Sequence, residues 1–165
     1  MQPATHPTAQ RVQAAATVLG LDVQIVEFSE TTRTAADAAA AAGCTVGQIV
    51  KSLVFVVAGQ PVICLVSGSN RLDERKLAAW AGVSRKQVQR AEAETVRAAT
   101  GYAIGGVAPF GYPAPLPVLC DADLLPYDIV WAAAGTPNAV FAVKPSALVA
   151  ATSAQVTDLR AADGA

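Results

Sequence analysis

VGQIVKSLVFVVAGQPVICLVS, Val46 to Ser67, is the one long apolar segment of the chain, and a single cation, Lys51, sits inside it. At period two, Ile49, Lys51, Leu53, Phe55 and Val57 share one face, while Val50, Ser52, Val54 and Val56 share the other. Both faces are mostly apolar, the pattern of an interior strand covered on each side. Ala58-Gly59-Gln60 supplies a turn, with Gly59 where positive φ is needed, and Pro61 to Val66 reads as the return strand of a hairpin. Lys51 thus enters the sheet near its start. An ammonium is costly to bury unless it reaches water, pairs with a carboxylate or meets an anionic ligand. Two readings stand: a strand-end lysine that reaches solvent and guards an edge, or a fixed positive charge at the mouth of a pocket.

Working outward, 165 residues fit one domain able to bury about two-thirds of its unfolded surface. With 53% hydrophobic and 15% charged residues the chain reads as globular and core-rich. A net charge of −1 argues against gripping long stretches of nucleic-acid backbone, and leaves room for a small local cationic site. Cys44, Cys64 and Cys120 are odd in number and form no C-x-x-C pair, so neither a disulfide framework nor a zinc site is indicated. Cys64 reads as a small core residue on its strand. The only histidine, His6, lies between Pro3 and Pro7 in a tail expected to fray, which disfavours Ser-His-Asp, Cys-His or histidine-metal chemistry. No secretion signal or membrane-length apolar run is evident, so a reduced, cytoplasmic protein without metal or cofactor is expected.

In chain order, residues 1–10 are expected to be a disordered tail, and Thr8 to Leu19 an amphipathic helix stopped by Gly20. Val23 to Phe28 is a strand candidate. Thr34 with Asp37 resembles a capping box opening an alanine-rich helix that Gly43 closes. After the hairpin, Ser67-Gly68-Ser69-Asn70 is a polar turn, and Asp73 to Ala81 a helix carrying Arg75 and Lys76, with Arg71 just before it. Val88 to Ala91 is a short strand and Glu92 to Thr100 a helix. Further strands are expected over Pro117 to Cys120, Ile129 to Ala133 and Ala139 to Val143, the last two joined as a hairpin through Gly135-Thr136-Pro137-Asn138. Ser146 can cap a short helix to Ala151, Gln155 to Leu159 is an edge strand, and 160–165 a disordered tail. Irregular alternation with two hairpins indicates α+β architecture with a mixed sheet.

Thr100 to Pro117, TGYAIGGVAPFGYPAPLP, holds four Gly and four Pro with Tyr102, Phe110 and Tyr112 interleaved. It is too apolar for a floppy linker and too broken for a helix or central strand. It reads either as a structural crossover packed by its aromatics or as a rigid binding loop whose glycines admit close backbone approach.

QIVKSLVF with Lys51, LVSGSNRLDERKLA with Ser67, Gly68, Arg71 and Lys76, ATGYAIGGVAPFG with Gly105 and Pro109, and AGTPNAVFAVKPSAL around Gly135 together resemble the YbaK-like family. These are relatives of the editing domain inserted in bacterial prolyl-tRNA synthetases, and act as free-standing aminoacyl-tRNA deacylases. The resemblance runs over residues 11–159. It implies a single domain with a barrel-like mixed sheet surrounded by helices, and hydrolysis of the ester joining a wrong amino acid to the 3′ end of a tRNA. It implies that Lys51 is the critical side chain and that Gly105 and Gly106 present backbone groups to the reacting ester. Val107, Ala108, Pro109, Ser67, Gly68, Arg71 and Gly135 are implied to bind substrate.

An aminoacyl ester is already activated, so the chemistry needs positioning and a home for negative charge on the carbonyl oxygen, with no histidine required. The partner expected is a mischarged tRNA, with a synthetase as a possible second. Ile49, Leu53, Val66 and Ile104 are expected to line the pocket and suit a small, uncharged side chain, alanine or serine on proline tRNA first. The alternative is a binding module of the same fold that holds charged tRNA ends or a synthetase without turnover.

Overall fold

The computed structural model describes residues 1–30 and 32–162. Its centre is the expected hairpin, β3 (Ile49–Val57) and β4 (Gln60–Ser67), paired antiparallel from Val50 opposite Ser67 to Val57 opposite Gln60. Ala58 and Gly59 both adopt positive φ (49° and 82°), the tight turn whose twist matches the strands it joins. Around this pair lie β1 (Gln2–Pro3), β2 (Val26–Glu27), β5 (Val88–Arg90), β6 (Val118–Asp121), β7 (Val130–Ala133), β8 (Ala139–Val143) and β9 (Gln155–Thr157). They form one mixed sheet in the order β1-β2-β8-β7-β3-β4-β6-β9, with β5 paired to β3 off that path. The architecture is α+β with a mixed sheet, as the sequence indicated.

Both faces of the hairpin are covered. Val50, Val54, Ile63 and Leu65 pack into one core with Val12 and Ala16 of α1 (Pro7–Val18), Val96 of α4 (Ala93–Thr100) and Leu148 of α5 (Pro145–Thr152). Phe55, Val57, Val62, Cys64 and Val66 pack into a second with Leu77 and Ala78 of α3 (Glu74–Ala81), Leu119 and Leu159. A fully buried aliphatic side chain stabilises by about 1.5–3 kcal/mol, so each face of β4 anchors its own layer. Cys64 and Cys120 are core residues, and burial pushes both thiols up to about 12.

The N-terminal tail expected over 1–10 is instead tied down. Gln2 and Pro3 pair with Glu27 and Val26, Glu27 Oε1 accepts from the N–H groups of Thr5 (2.8 Å) and His6 (2.9 Å), and His6 Nδ1 caps α1 by accepting from Thr8 N. The strand expected over Val23 to Phe28 shrinks to Val26–Glu27, because Gln13 of α1 takes the place of a strand partner. Its Nε2 donates to Val23 O and its Oε1 accepts from Ile25 N. Thr34 caps α2 (Ala35–Ala42) as expected, accepting from Asp37 N, and Gly43 ends it with φ 73°. Ser146 does not cap α5, which begins at Pro145 with Lys144 as its N-cap, two residues before the expected cap. Of the C-terminal tail, Arg160 bridges to Leu72 and Ala161 N donates to Arg71 O (2.7 Å); residues 163–165 lie outside the described residues.

Candidate active site

The pocket exists because two neighbours of β3 diverge. On the edge away from β4, β7 pairs only with Ile49 and Val50, and β5 only with Phe55 to Val57. Between them Lys51, Ser52 and Leu53 have a strand partner on the β4 side alone. Into that gap opens a cavity of about 290 Å³ whose wall includes Ile49, Lys51, Ser52, Leu53, Ile104, Gly105, Val107 and Trp131. Ile49, Leu53 and Ile104 are therefore pocket residues as expected. Val66, expected with them, is fully buried in the second core, because it lies on β4, one strand in from the open edge of β3.

Lys51 is half-buried, and its Nζ donates to the backbone carbonyl of Asn70 at 2.5 Å. That carbonyl is held by a carboxylate network. Asp121, itself buried, accepts from Ser67 N (3.0 Å), Asn70 Nδ2 (2.9 Å) and Asp123 N (2.9 Å), and Asn70 Nδ2 also donates to Asp123 (2.8 Å). Desolvation and the nearby Arg90 guanidinium lower the Lys51 pKa, while Asp121 raises it. An ammonium has three donors, so with one given to Asn70 it keeps two for a ligand.

The 101–117 loop is rigid because its aromatics close on its own backbone. Tyr102 Oη donates to Phe110 O (2.9 Å), Tyr112 Oη to Ala108 O (2.8 Å), and the two tyrosine rings meet edge to face at 6.3 Å. The loop is packed by its aromatics, as the crossover reading expects, and its Gly105 and Val107 line the cavity. Gly105 has φ 94° and open space around it. The Gly106 N–H, expected to face the ester, instead donates to Ala103 O (3.0 Å). Among the described residues, the N–H groups of Gly105 and Val107 have no hydrogen-bond partner.

The remaining residues singled out in the sequence stand one layer back. A Cβ on Gly106 would lie 2.8 Å from the carbonyl carbon and oxygen of Gly135, and one on Gly135 (φ 96°) would lie 2.6 Å from Thr8 Cγ2. Ala108 and Pro109 are buried within the loop. Ser67 Oγ donates to Gly47 O (2.7 Å), and Gly68 is pressed against Val46 O. None of these six lines the cavity. Arg71 lies at an adjoining cleft that shares Lys51, Leu53 and Arg90 with the pocket. Sequence reasoning passed over Ser52, Asn70, Arg90 and Asp121. Ser52 Oγ is buried on the cavity wall with no hydrogen-bond partner among the described residues, an arrangement that costs free energy unless a ligand supplies one. No group of three His, Cys, Asp or Glu able to hold a metal ion occurs among the described residues.

A cation and unpaired N–H groups lining one mostly apolar pocket, with no side-chain nucleophile–base pair among the described lining residues, suit an activated ester better than an amide. Comparison with known proteins agrees. The sequence profile of the aminoacyl-tRNA editing domain matches residues 29–151. A crystal structure provisionally identified as a trans-editing enzyme for prolyl tRNA synthetase superposes with a TM-score of 0.91 at 48% identity, covering 96% of this chain and 100% of that one. The Enterococcus faecalis protein EbsC, provisionally identified as a Cys-tRNA(Pro)/Cys-tRNA(Cys) deacylase, is 29% identical over 133 residues, 80% of each chain. Proline–tRNA ligase of Geobacter sp. (strain M21) is 36% identical over 88 residues, 53% of this chain and 15% of that enzyme. The chain belongs to the aminoacyl-tRNA editing domain family. Its activity is that of a trans-editing deacylase, hydrolysis of the ester of a mischarged aminoacyl-tRNA. Among the described residues no helix is long and apolar enough to cross a membrane.

Proposed function

We propose that this deacylase removes a small, uncharged amino acid from proline tRNA, with Lys51, Gly105 and Val107 carrying the reaction. The observation that supports this most is the convergence of the Lys51 ammonium and the unpartnered Gly105 N–H on one cavity of about 290 Å³ with mostly apolar walls. In this reading the aminoacyl side chain sits against Ile49, Leu53 and Ile104, and Ser52 Oγ hydrogen-bonds the substrate's polar atoms. Water adds to the ester carbonyl carbon. The carbonyl oxygen takes up negative charge, stabilised by the Gly105 and Val107 N–H groups and by Lys51. The carbon–ribose oxygen bond then breaks, and the ribose oxygen leaves with the proton that water gave up, so no histidine base is needed. Gly106, Ala108, Pro109 and Gly135 hold the loop in place, while Ser67 and Gly68 hold the turn that positions Asn70. A synthetase that carries the body of the tRNA is the second partner in this scheme, and the cytoplasm, where translation runs, the place of action.

Apolar pockets separate amino acids differing by one methylene by only about 1–3 kcal/mol, so several small residues should be accepted with graded rates. The test is a panel of alanine, serine, cysteine and threonine esters on proline, alanine and cysteine tRNAs, with wild type and Lys51→Ala. Selective turnover, reduced by about a hundredfold or more in the variant, is expected. Full activity of Lys51→Ala would remove the lysine from the mechanism, and tight binding of charged tRNA without turnover by wild type would mark a binding module instead.

A further inference from the structure

Beside the ester pocket runs a second, larger cleft of about 660 Å³. Its ionisable lining is lopsided: Lys51, Arg71, Arg75, Arg85 and Arg90 against Asp73 and Glu74. Both carboxylates already have partners within the cleft, and cations remain in excess. Asp73 Oδ1 caps α3 by accepting from Arg75 N (2.9 Å), and Glu74 pairs with Arg85. Among the described residues Arg71, Arg75 and Arg90 form no salt bridge. Uncompensated positive charge gathers here in a chain whose net charge is −1. Like charges also crowd together, since Arg90 and Lys51 line both cavities and Arg90 depresses the lysine's pKa. An anion spanning the junction would relieve that repulsion.

We propose that this cleft is the track of the single-stranded 3′ end of the RNA whose ester occupies the pocket, its phosphates held by Arg71, Arg75 and Arg90. The inference rests on the deacylase reading above and adds the path of the polymer to it. The pocket's mostly apolar wall suits the aminoacyl group, and the phosphates that precede it are better matched by the cations of the cleft. The cleft meets the pocket at Lys51, Leu53 and Arg90 and offers repeated cations over an apolar floor of Leu53 and Leu72. Repeated cations suit the regularly spaced charge of a phosphodiester strand, and a track that ends at a pocket suits a chain terminus. The cleft wall is also fastened: Arg71 O accepts from Ala161 N and Asp73 N donates to Leu159 O (2.8 Å), which tie the arginine-bearing segment to the C-terminal strand region.

The experiment measures two things with wild type, Arg71→Ala/Arg75→Ala and Arg71→Lys/Arg75→Lys. The first is the affinity of an uncharged, single-stranded 12-nucleotide RNA as a function of salt; the second is KM and kcat on mischarged proline tRNA. The alanine pair should weaken RNA binding by about tenfold at low salt. It should also reduce the slope of log affinity against log salt by about 1.4, at about 0.7 for each phosphate that is no longer neutralised. KM for tRNA should rise with kcat little changed, and the lysine pair should recover most of both effects. Equal RNA affinity and salt slope in wild type and the alanine pair would overturn the track, as would equally tight binding of a duplex of the same length. Arginine-dependent RNA binding without hydrolysis of any mischarged tRNA would sink the deacylase reading and keep the cleft. Hydrolysis with an unchanged KM in the alanine pair would do the reverse.

Discussion

Lys51 is held rather than merely present. Its neighbour on one side is a backbone carbonyl, and that carbonyl is positioned by Asp121, a residue far along the chain on another strand. The lysine's pKa is depressed chiefly by burial and secondarily by Arg90, with Asp121 acting against both. If the ammonium is the working form, the alkaline limb of kcat/KM should fall at a pH below the ordinary lysine value of about 10.4. Asp121→Asn removes the one opposing charge and should move that limb to still lower pH. A limb that stays put in this variant would show that Asp121 does not act on Lys51 electrostatically. The same substitution turns one acceptor oxygen of a side chain surrounded by donors into an NH₂ group, which should cost about 1–3 kcal/mol. The linkage has a definite sign. Between the lowered pKa and 10.5 the unfolded chain binds more protons at Lys51 than the folded one. This residue's contribution to stability therefore rises with pH through that alkaline window and is lost as pH falls through the lowered value.

At the scale of elements, the 101–117 loop and the Gly135 turn behave as one part. Gly106→Ala would place a methyl group 2.8 Å from main-chain atoms of Gly135, which cannot swing aside as a side chain could. We expect a loss of about 1–3 kcal/mol in thermal unfolding together with lower turnover, because the displaced loop carries Gly105. Unchanged kcat with lowered stability would separate the buttress from the chemistry. This coupling marks the limit of what the sequence made legible. The β3–β4 hairpin could be read because its period-two pattern, its turn and its two apolar faces are local. Lys51, Gly105 and Val107 could be singled out because a resemblance carried them, and all three line the cavity. The strand over Val23 to Phe28 was overdrawn because its partner is a side chain, Gln13, which leaves no mark in strand periodicity. Ser52, Arg90 and Asp121 stayed hidden for another reason. Ser52 and Arg90 matter because of where β5 and β7 leave the edge of β3, and Asp121 because β6, paired to β4, brings it to the Ser67–Asn70 turn; both are long-range events. Gly106 stands between two residues of the cavity wall, but its N–H is spent on Ala103 within the turn.

Over the whole molecule, the sheet is sandwiched between two cores, and α1 belongs to the one behind the pocket. Ala9, Val12 and Ala16 of that helix are fully buried. Deleting residues 1–28 should cost on the order of 3 kcal/mol or more from apolar burial alone. For a chain of this size that is about 6–12 °C in the unfolding midpoint. Deacylation should fall as well, although α1 contributes nothing to the cavity wall; wild-type rates in a stably folded deletion would refute the mechanical link. That link is the close approach of Thr8 to Gly135, and of Gly135 in turn to Gly106. The family profile begins at residue 29, after this helix has ended. The segment that matches the family profile and the segment that packs against the Gly135 turn therefore have different boundaries. Mutations in the unmatched helix, and grafts that transplant only the matched part, should both register as defects of the ester pocket.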